Sequence, residues 1–518
     1  MKKNRIEKYW IEIYEKKLKD LNIDSNKSWA LYGTGNGAEV IYQILSRWGV
    51  NRIIKSVIER DDVLTDEIEF HGIKAEAITQ ACEKVGGIII TSMDFHELVF
   101  DRVKAYVNEN CENIIEILNP FGHNTNEEIR EYVEYLEAQK DRKDPNLYKE
   151  YEEEAIALND DDTKVIAWYL PQFHRIDAND KYHGRGFTEW TNTSKAMPMF
   201  TGHYQPHIPY DLGYYSLNDE EVLDRQITLA KHYGIYGFSF YYYWFSGKRV
   251  MEKPLDYFLS HPELDVNFCV TWANENWSAL WDGGNQELIY KQELNPEDDF
   301  LFAQDLFPYL RDSRYISIKG KKLLIIYRAN MWEKTRVKLL LDNIRNEVER
   351  EGIGGLYIML CNTFDFEENV CEWGADALVE FPPHGIVRNM PPMRVNGYLN
   401  PNFNGFIRNA EQFISQKGYL SVHNSEIYFR GIMAAWDNSP RKAYTGANIY
   451  INLNPNTFEQ WLIDVMKESK EIHSKDEDFV FVNAWNEWAE GTHLEPDLKY
   501  GYANLAAVKN ALLKSRDV

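Results

Sequence analysis

The chain has 518 residues, 44% of them hydrophobic, which is too long for one ordinary core and too apolar for a largely disordered protein. A formal net charge of −24 without a visible basic patch argues against a nucleic-acid partner. Five cysteines, an odd number with no CxxC pair, and a basic N-terminus that lacks an apolar h-region predict a cytoplasmic protein with no disulfide framework, no metal-ligand spacing and no transmembrane segment.

In chain order, residues 1–27 alternate charged and apolar positions at helical spacing and predict a surface helix. Trp29–Tyr32 reads as a strand, followed by the turn Gly33-Thr-Gly35-Asn-Gly37-Ala38 and a helical run through Val40, Ile41 and Ile44. A strand, a glycine-rich turn and a helix open a Rossmann-like unit. A second strand, Ser56–Ile58, ends at Glu59, about where such folds place a ribose-binding acid. Further strands are expected at 87–91 and 114–118. The expectation is a small Rossmann-like α/β domain over residues 1–122, with Gly33, Gly35, Gly37 and Glu59 around a nucleotide or nucleotide sugar. The same glycines also fit a tight turn in a module that binds no nucleotide. Residues 123–163, with acidic clusters at Glu152–Glu154 and Asp160–Asp162, read as a charged helical linker.

From residue 164 to 518, short apolar runs alternate with longer, often helical stretches. Eight strands are predicted: Val165–Leu170, Gly237–Tyr242, Asn267–Thr271, Leu323–Tyr327, Leu356–Leu360, Ala377–Val379, Ile432–Ala435 and Phe479–Ala484. Helical patterns fill the gaps at Asp219–His232, Arg336–Glu351 and Thr457–Ser469. Eight such repeats predict a (β/α)₈ TIM-type barrel, whose site gathers at the C-terminal strand ends. The long gap from 171 to 236 is expected to lie over the mouth as an insertion.

Those strand ends supply Gln172, His174, Tyr243, Trp244, Trp272, Asn274, Glu275, Trp277, Glu380 and Trp436, and finally Asn486, Glu487, Trp488 and Glu490. Amides, aromatics and carboxylates dominate. Phosphate chemistry would want more cations, and no G-x-S-x-G or activated cysteine is present. A hydroxyl-rich ligand fits better. Paired acids suit glycosidic chemistry, one carboxyl serving the leaving oxygen while the other works on the sugar. Each residue also has an ordinary reading: the tryptophans as core, Asn274 and Glu275 as caps, Glu380 as an ion-pair partner. In the contiguous run Tyr241–Phe245 alternate side chains must face opposite ways, so about half of it packs the barrel. His174, His183, His203 and His207 lack metal-ligand spacing.

Several separated motifs resemble WbsX-type polysaccharide biosynthesis proteins, which are similar to glycoside hydrolase family 99. They are Ala167–His174, Gly186–Trp190 (with Glu189 and Trp190), His203–His207, Thr271–Trp277 and Trp485–Thr492. The resemblance spans about residues 164–512. It implies a (β/α)₈ fold and a retaining outcome at an α-glycosidic bond, a mannosidic one in family 99. Asn486–Thr492 matches the motif that carries that family's catalytic pair. By this resemblance Glu487 is the base toward the sugar 2-hydroxyl, and Glu490 is first acid, then base. A nucleotide-sugar-dependent glycosyltransferase and a silent glycan-binding protein stay open as alternatives. The implied partner is an oligosaccharide or polysaccharide, with a nucleotide sugar under the transferase reading, and no cofactor.

Overall fold

In the computed structural model the eight apolar runs beyond residue 164 become one parallel sheet. The structure describes residues 14–15, 17–60, 64, 68–92, 96–111, 113–121, 142–278, 288–363, 366, 369–385, 390–395, 397–400, 402–417, 419, 427–442 and 445–516. The chain divides into two units, residues 1–141 and 142–518.

In the smaller unit the sheet order is Glu69–Phe70, Ile73–Glu76, Ile54–Ile58, Trp29–Tyr32, Gly87–Ile90 and Glu116–Leu118. All neighbours are parallel except the first two. The helix Asn36–Arg47 follows the glycine turn and packs Val40, Ile41, Ile44 and Leu45 on the sheet. Gly33 has φ +106 and Gly35 stands at the N-cap of that helix. The Thr34 hydroxyl donates to Glu59 at 3.0 Å, so the turn and the acid do meet at one end of the sheet.

In the larger unit, neighbouring strands run from Tyr428–Phe429 through Ala377–Glu380, Leu356–Asn362, Lys321–Ile326, Asn267–Trp272, Gly237–Phe245, Lys164–Tyr169 and Phe479–Asn483 to Gly431–Met433. The first and last members of this path are separated only by Arg430, whose carbonyl accepts from Phe481 N at 2.9 Å. The sheet therefore comes round on itself as a nearly closed parallel barrel. Its strands are buried on both faces, which is why they read as continuous apolar runs.

The helices Glu220–His232, Lys334–Arg350 and Pro455–Ile472 fill gaps as expected. Asp219 caps the first through Glu221 N at 3.2 Å, and Asn454 forms a capping box with Thr457 on the third. The expected helical linker at 123–163 needs correction in part. Residues 122–141 lie outside the described set, and 142–163 hold no helix. That stretch is instead tied to the larger unit by backbone bonds such as Asp144 N to Lys499 O and Ile156 N to His232 O. Residues 1–13 also lie outside the described set. Among the described residues no helix is long and apolar enough to cross a membrane.

Candidate active site

The eighth strand ends at Asn483, and the chain turns sharply to form the short hairpin Asn486–Glu487 with Thr492–His493. Between its arms Trp488–Glu490 makes one 3₁₀ turn. Glu487 stands at the N-cap of that turn and Glu490 is its last residue, and both line the same cavity. Gly491 closes the turn at φ +67, and a Cβ there would stand 3.0 Å from Asp437 N. Any side chain there would be strained by the conformation and crowded by the contact.

Both carboxylates open into a cavity of about 550 Å³ at the C-terminal mouth of the barrel. The insertion after the first strand supplies one wall through Asn179, His183, Phe187 and Glu189. Two excursions after the sixth and seventh strands supply another. They build a three-stranded sheet from Phe406–Asn409, Asn448–Ile451 and Trp436–Asp437.

At the centre lies Arg441, on the short helix Ser439–Lys442 and 3% exposed. Its Nη2 is 2.8 Å from Glu487 Oε1, its Nη1 2.9 Å from Glu490 Oε1, and Nη2 3.2 Å from Glu189 Oε2. One guanidinium thus serves three acids. Burial pushes Glu487 well above the usual carboxylate range, against the pull of Arg441. Burial raises Glu490 as well, with Arg441 again opposing. Glu490 keeps 23% of its side chain exposed against 6% for Glu487, so it is the one nearer to an entering ligand. Gln172 bonds Tyr243 and lies 3.5 Å from Arg441 Nη2. The chemistry on offer is proton transfer between two desolvated carboxyls and a hydroxyl-bearing ligand.

The cavity gathers Gln172, Glu189, Tyr243, Glu275, Trp277, Trp436, Glu487 and Glu490 from the residues picked out in sequence. Glu275 is ion-paired with Arg328, and burial raises its carboxyl above the ordinary range. The other expected contacts are corrected. Trp244 and Trp272 point outward into the helix layer against Phe302, because alternate residues of a strand face opposite sides. Tyr241 and Tyr243 face in. Trp488 is core: it stacks on His493 at 3.7 Å and donates to Glu495 at 2.6 Å. Trp190 packs on Phe173 and donates to Tyr215 O. Asn486 spends its amide on the backbone of Leu170, at 2.8 and 3.0 Å, and Asn274 does the same with Arg328. Both fix strand ends and line no wall. Glu380 is buried beside Arg430 at 3.8 Å, and burial pushes it up to about 7. His174 is wholly buried away from the cavity, and burial takes its imidazole down to about 4.

Residues 165–508 match the model of the family described as Glycosyltransferase WbsX. The chain belongs to the WbsX glycosyltransferase family. It is 35% identical over 356 residues to the protein WxcX of two Xanthomonas campestris pv. campestris strains, covering 68% of this chain. This WbsX chain spans 50% of the length of those curated relatives. Among solved structures, the GH99 endo-alpha-mannosidase from Bacteroides thetaiotaomicron is 15% identical, with a TM-score of 0.43 over 70% of this chain and 100% of that one. A glycoside hydrolase-like protein is 14% identical, with a TM-score of 0.42 over 71% and 98%.

Arg441 is the main residue of this WbsX site that sequence reading misses. It lies past the end of the seventh strand in a stretch without a motif. Its one signal is that a mouth lined with acids needs a buried cation. Asp437, next to the same helix, accepts from His203 Nε2 at 2.6 Å and from Ser439 N at 2.9 Å. Burial opposes its charge, yet these partners and Gln205 hold it down at about 2. Among the described residues, one group of side chains could hold a cation: His207, His493 and Asp497, all buried. His207 Nδ1 and His493 Nε2 are 2.9 Å apart, and His493 Nδ1 faces the Glu495 carbonyl at 2.9 Å, so hydrogen bonding already engages both rings. Sequence spacing could not show this, since His207 and His493 lie far apart in the chain.

Proposed function

We propose that the barrel is a retaining carbohydrate-active enzyme that cleaves or transfers at an α-glycosidic bond during surface polysaccharide assembly in the cytoplasm. The observation that carries this reading is the pair Glu487 and Glu490, facing one cavity and held by the two Nη atoms of Arg441. Family membership supports the substrate class.

In this reading Glu487 takes the proton of the sugar 2-hydroxyl, whose oxygen attacks C1. The C1–O bond to the leaving group breaks, and that oxygen takes the proton of Glu490. A 1,2-anhydro sugar results. Glu490, now a carboxylate, takes a proton from water or an acceptor hydroxyl as its oxygen attacks C1. The three-membered ring opens, and Glu487 returns its proton to O2. Two inversions give net retention. A monoprotonated pair is what the two steps need: desolvation favours keeping a proton, while Arg441 favours keeping one negative charge.

For the smaller unit we propose a Rossmann-like module with Gly33, Gly35, Gly37 and Glu59 beside a nucleotide. The helix N-terminus behind Gly35 supports that reading. The test of both is incubation with the surface polysaccharide repeat of the producing cell, with and without nucleotide sugars, read by mass spectrometry. Shortened or rearranged glycan without any nucleotide sugar supports the barrel chemistry. Strict dependence on a nucleotide sugar replaces it with direct glycosyl transfer.

A further inference from the structure

The floor of the cavity is acidic, yet one flank carries the opposite sign. Arg408 lies on the strand Phe406–Asn409, and Lys442 ends the helix that bears Arg441; both line the cavity. The strand register sets Arg408 beside Tyr450 and Tyr450 beside Trp436, a row of one cation and two rings across three strands. The Arg408 guanidinium stands 5.5 Å from the Tyr450 ring and 5.5 Å from that of Phe406. Its Nη1 donates to Asn448 Oδ1 at 2.7 Å and its Nε to Met390 O at 3.1 Å.

Those partners are neutral. They fix the guanidinium in place without cancelling its charge. Among the described residues no carboxylate lies within ion-pair distance of Arg408 or Lys442, in a chain with 81 acidic against 57 basic side chains. The contrast with Arg441 is direct, since that arginine is surrounded by three acids. With so many carboxylates to choose from, a rigidly held arginine on a cavity wall without one is suited to a charge that arrives with the ligand.

We infer that this flank is a subsite for a negatively charged group on the substrate, a carboxylate or a phosphate. Arg408 is its principal contact, Lys442 adds long-range attraction, and Trp436 and Tyr450 pack against the adjoining sugar ring. The inference rests on reading the cavity as a glycan site, and it narrows the substrate from any glycan to an anionic one. A uronic-acid residue would bring the charge within the polymer. A diphosphate-linked sugar would bring it at the reducing end.

The test measures binding of three probes by calorimetry at low and high salt: a uronate oligosaccharide, its carboxyl-reduced neutral counterpart, and inorganic pyrophosphate. At least one anion is expected to bind about tenfold or more tightly than the neutral sugar at low salt. Arg408→Gln should remove that advantage and leave the neutral sugar within about twofold, while Arg408→Lys restores part of it. Lys442→Gln, at an exposed position, should weaken the salt dependence without affecting folding. Which anion wins tells the polymer charge from the diphosphate. Equal binding of charged and neutral probes, or equal loss of both in Arg408→Gln, overturns the subsite. Binding of pyrophosphate while neither sugar probe binds would leave the subsite standing and defeat the glycan reading instead.

Discussion

Arg441 Nη2 lies 2.8 Å from Glu487 Oε1, and both groups are almost wholly enclosed. A buried pair of this kind is strained when either member is removed, because the survivor keeps its charge in a low-dielectric setting. Here the arginine also holds Glu490 and Glu189, so its loss would leave three acids facing one another.

Replacing Arg441 by Gln is therefore expected to cost about 2–5 kcal/mol in transition-state stabilisation or in folding, with Lys restoring only part of it. The two readouts are kcat/KM and the midpoint of chemical unfolding. Unchanged values in both would remove Arg441 from the account.

The rate should depend on pH as a bell. The active form carries one proton over Glu487 and Glu490, which titrate as a pair. Rate falls as pH drops and a second proton is added, and falls again as pH rises and the last one leaves. Since burial raises both groups, both limbs should lie above the ordinary glutamate value. Arg441 opposes that rise, so in Arg441→Gln any residual activity should show both limbs moved to still higher pH.

Gly491→Ala should destabilise the protein by about 1–3 kcal/mol, since it forces alanine to φ +67 with its Cβ 3.0 Å from Asp437 N. A thermal melt and an activity assay check this together. A wild-type melt would mean that the turn can relax away from Asp437.

Glu380 offers a stability test free of catalysis. Its folded value of about 7 exceeds the ordinary 4.5, so the folded state binds the proton more tightly. The stabilisation is fully present below about pH 4.5 and is lost as pH rises through about 7, by roughly 3 kcal/mol. Unfolding free energies between pH 5 and 8 should fall in the wild type, and this component should be absent in Glu380→Gln.

The barrel was legible in the sequence because strands buried on both faces must be apolar throughout. The sequence predicts the seventh strand late, at Ile432–Ala435, because Arg430 interrupts Tyr428–Met433. That arginine is buried with paired contacts to Glu468 at 2.6 and 2.7 Å, which sequence does not display. The placing of Glu487 and Glu490 at the barrel mouth follows from their position just past the last apolar run. The facing of Trp244, Trp272 and Trp488 was not, since it depends on strand parity and on a hairpin formed after the barrel closes. Arg441 needed the packed excursions after the sixth and seventh strands to bring it beside residues far from it in the chain.

The most direct measurement compares Glu487→Gln and Glu490→Gln on the native glycan and on an aryl glycoside of the same sugar. Each variant should lose about 10²–10⁴ in rate on the glycan while binding it nearly as well. A phenol leaves without protonation, so Glu490→Gln should recover its first step on the aryl substrate and Glu487→Gln should not. Wild-type turnover of the glycan by either variant, or recovery by Glu487→Gln in place of Glu490→Gln, would contradict the assigned roles.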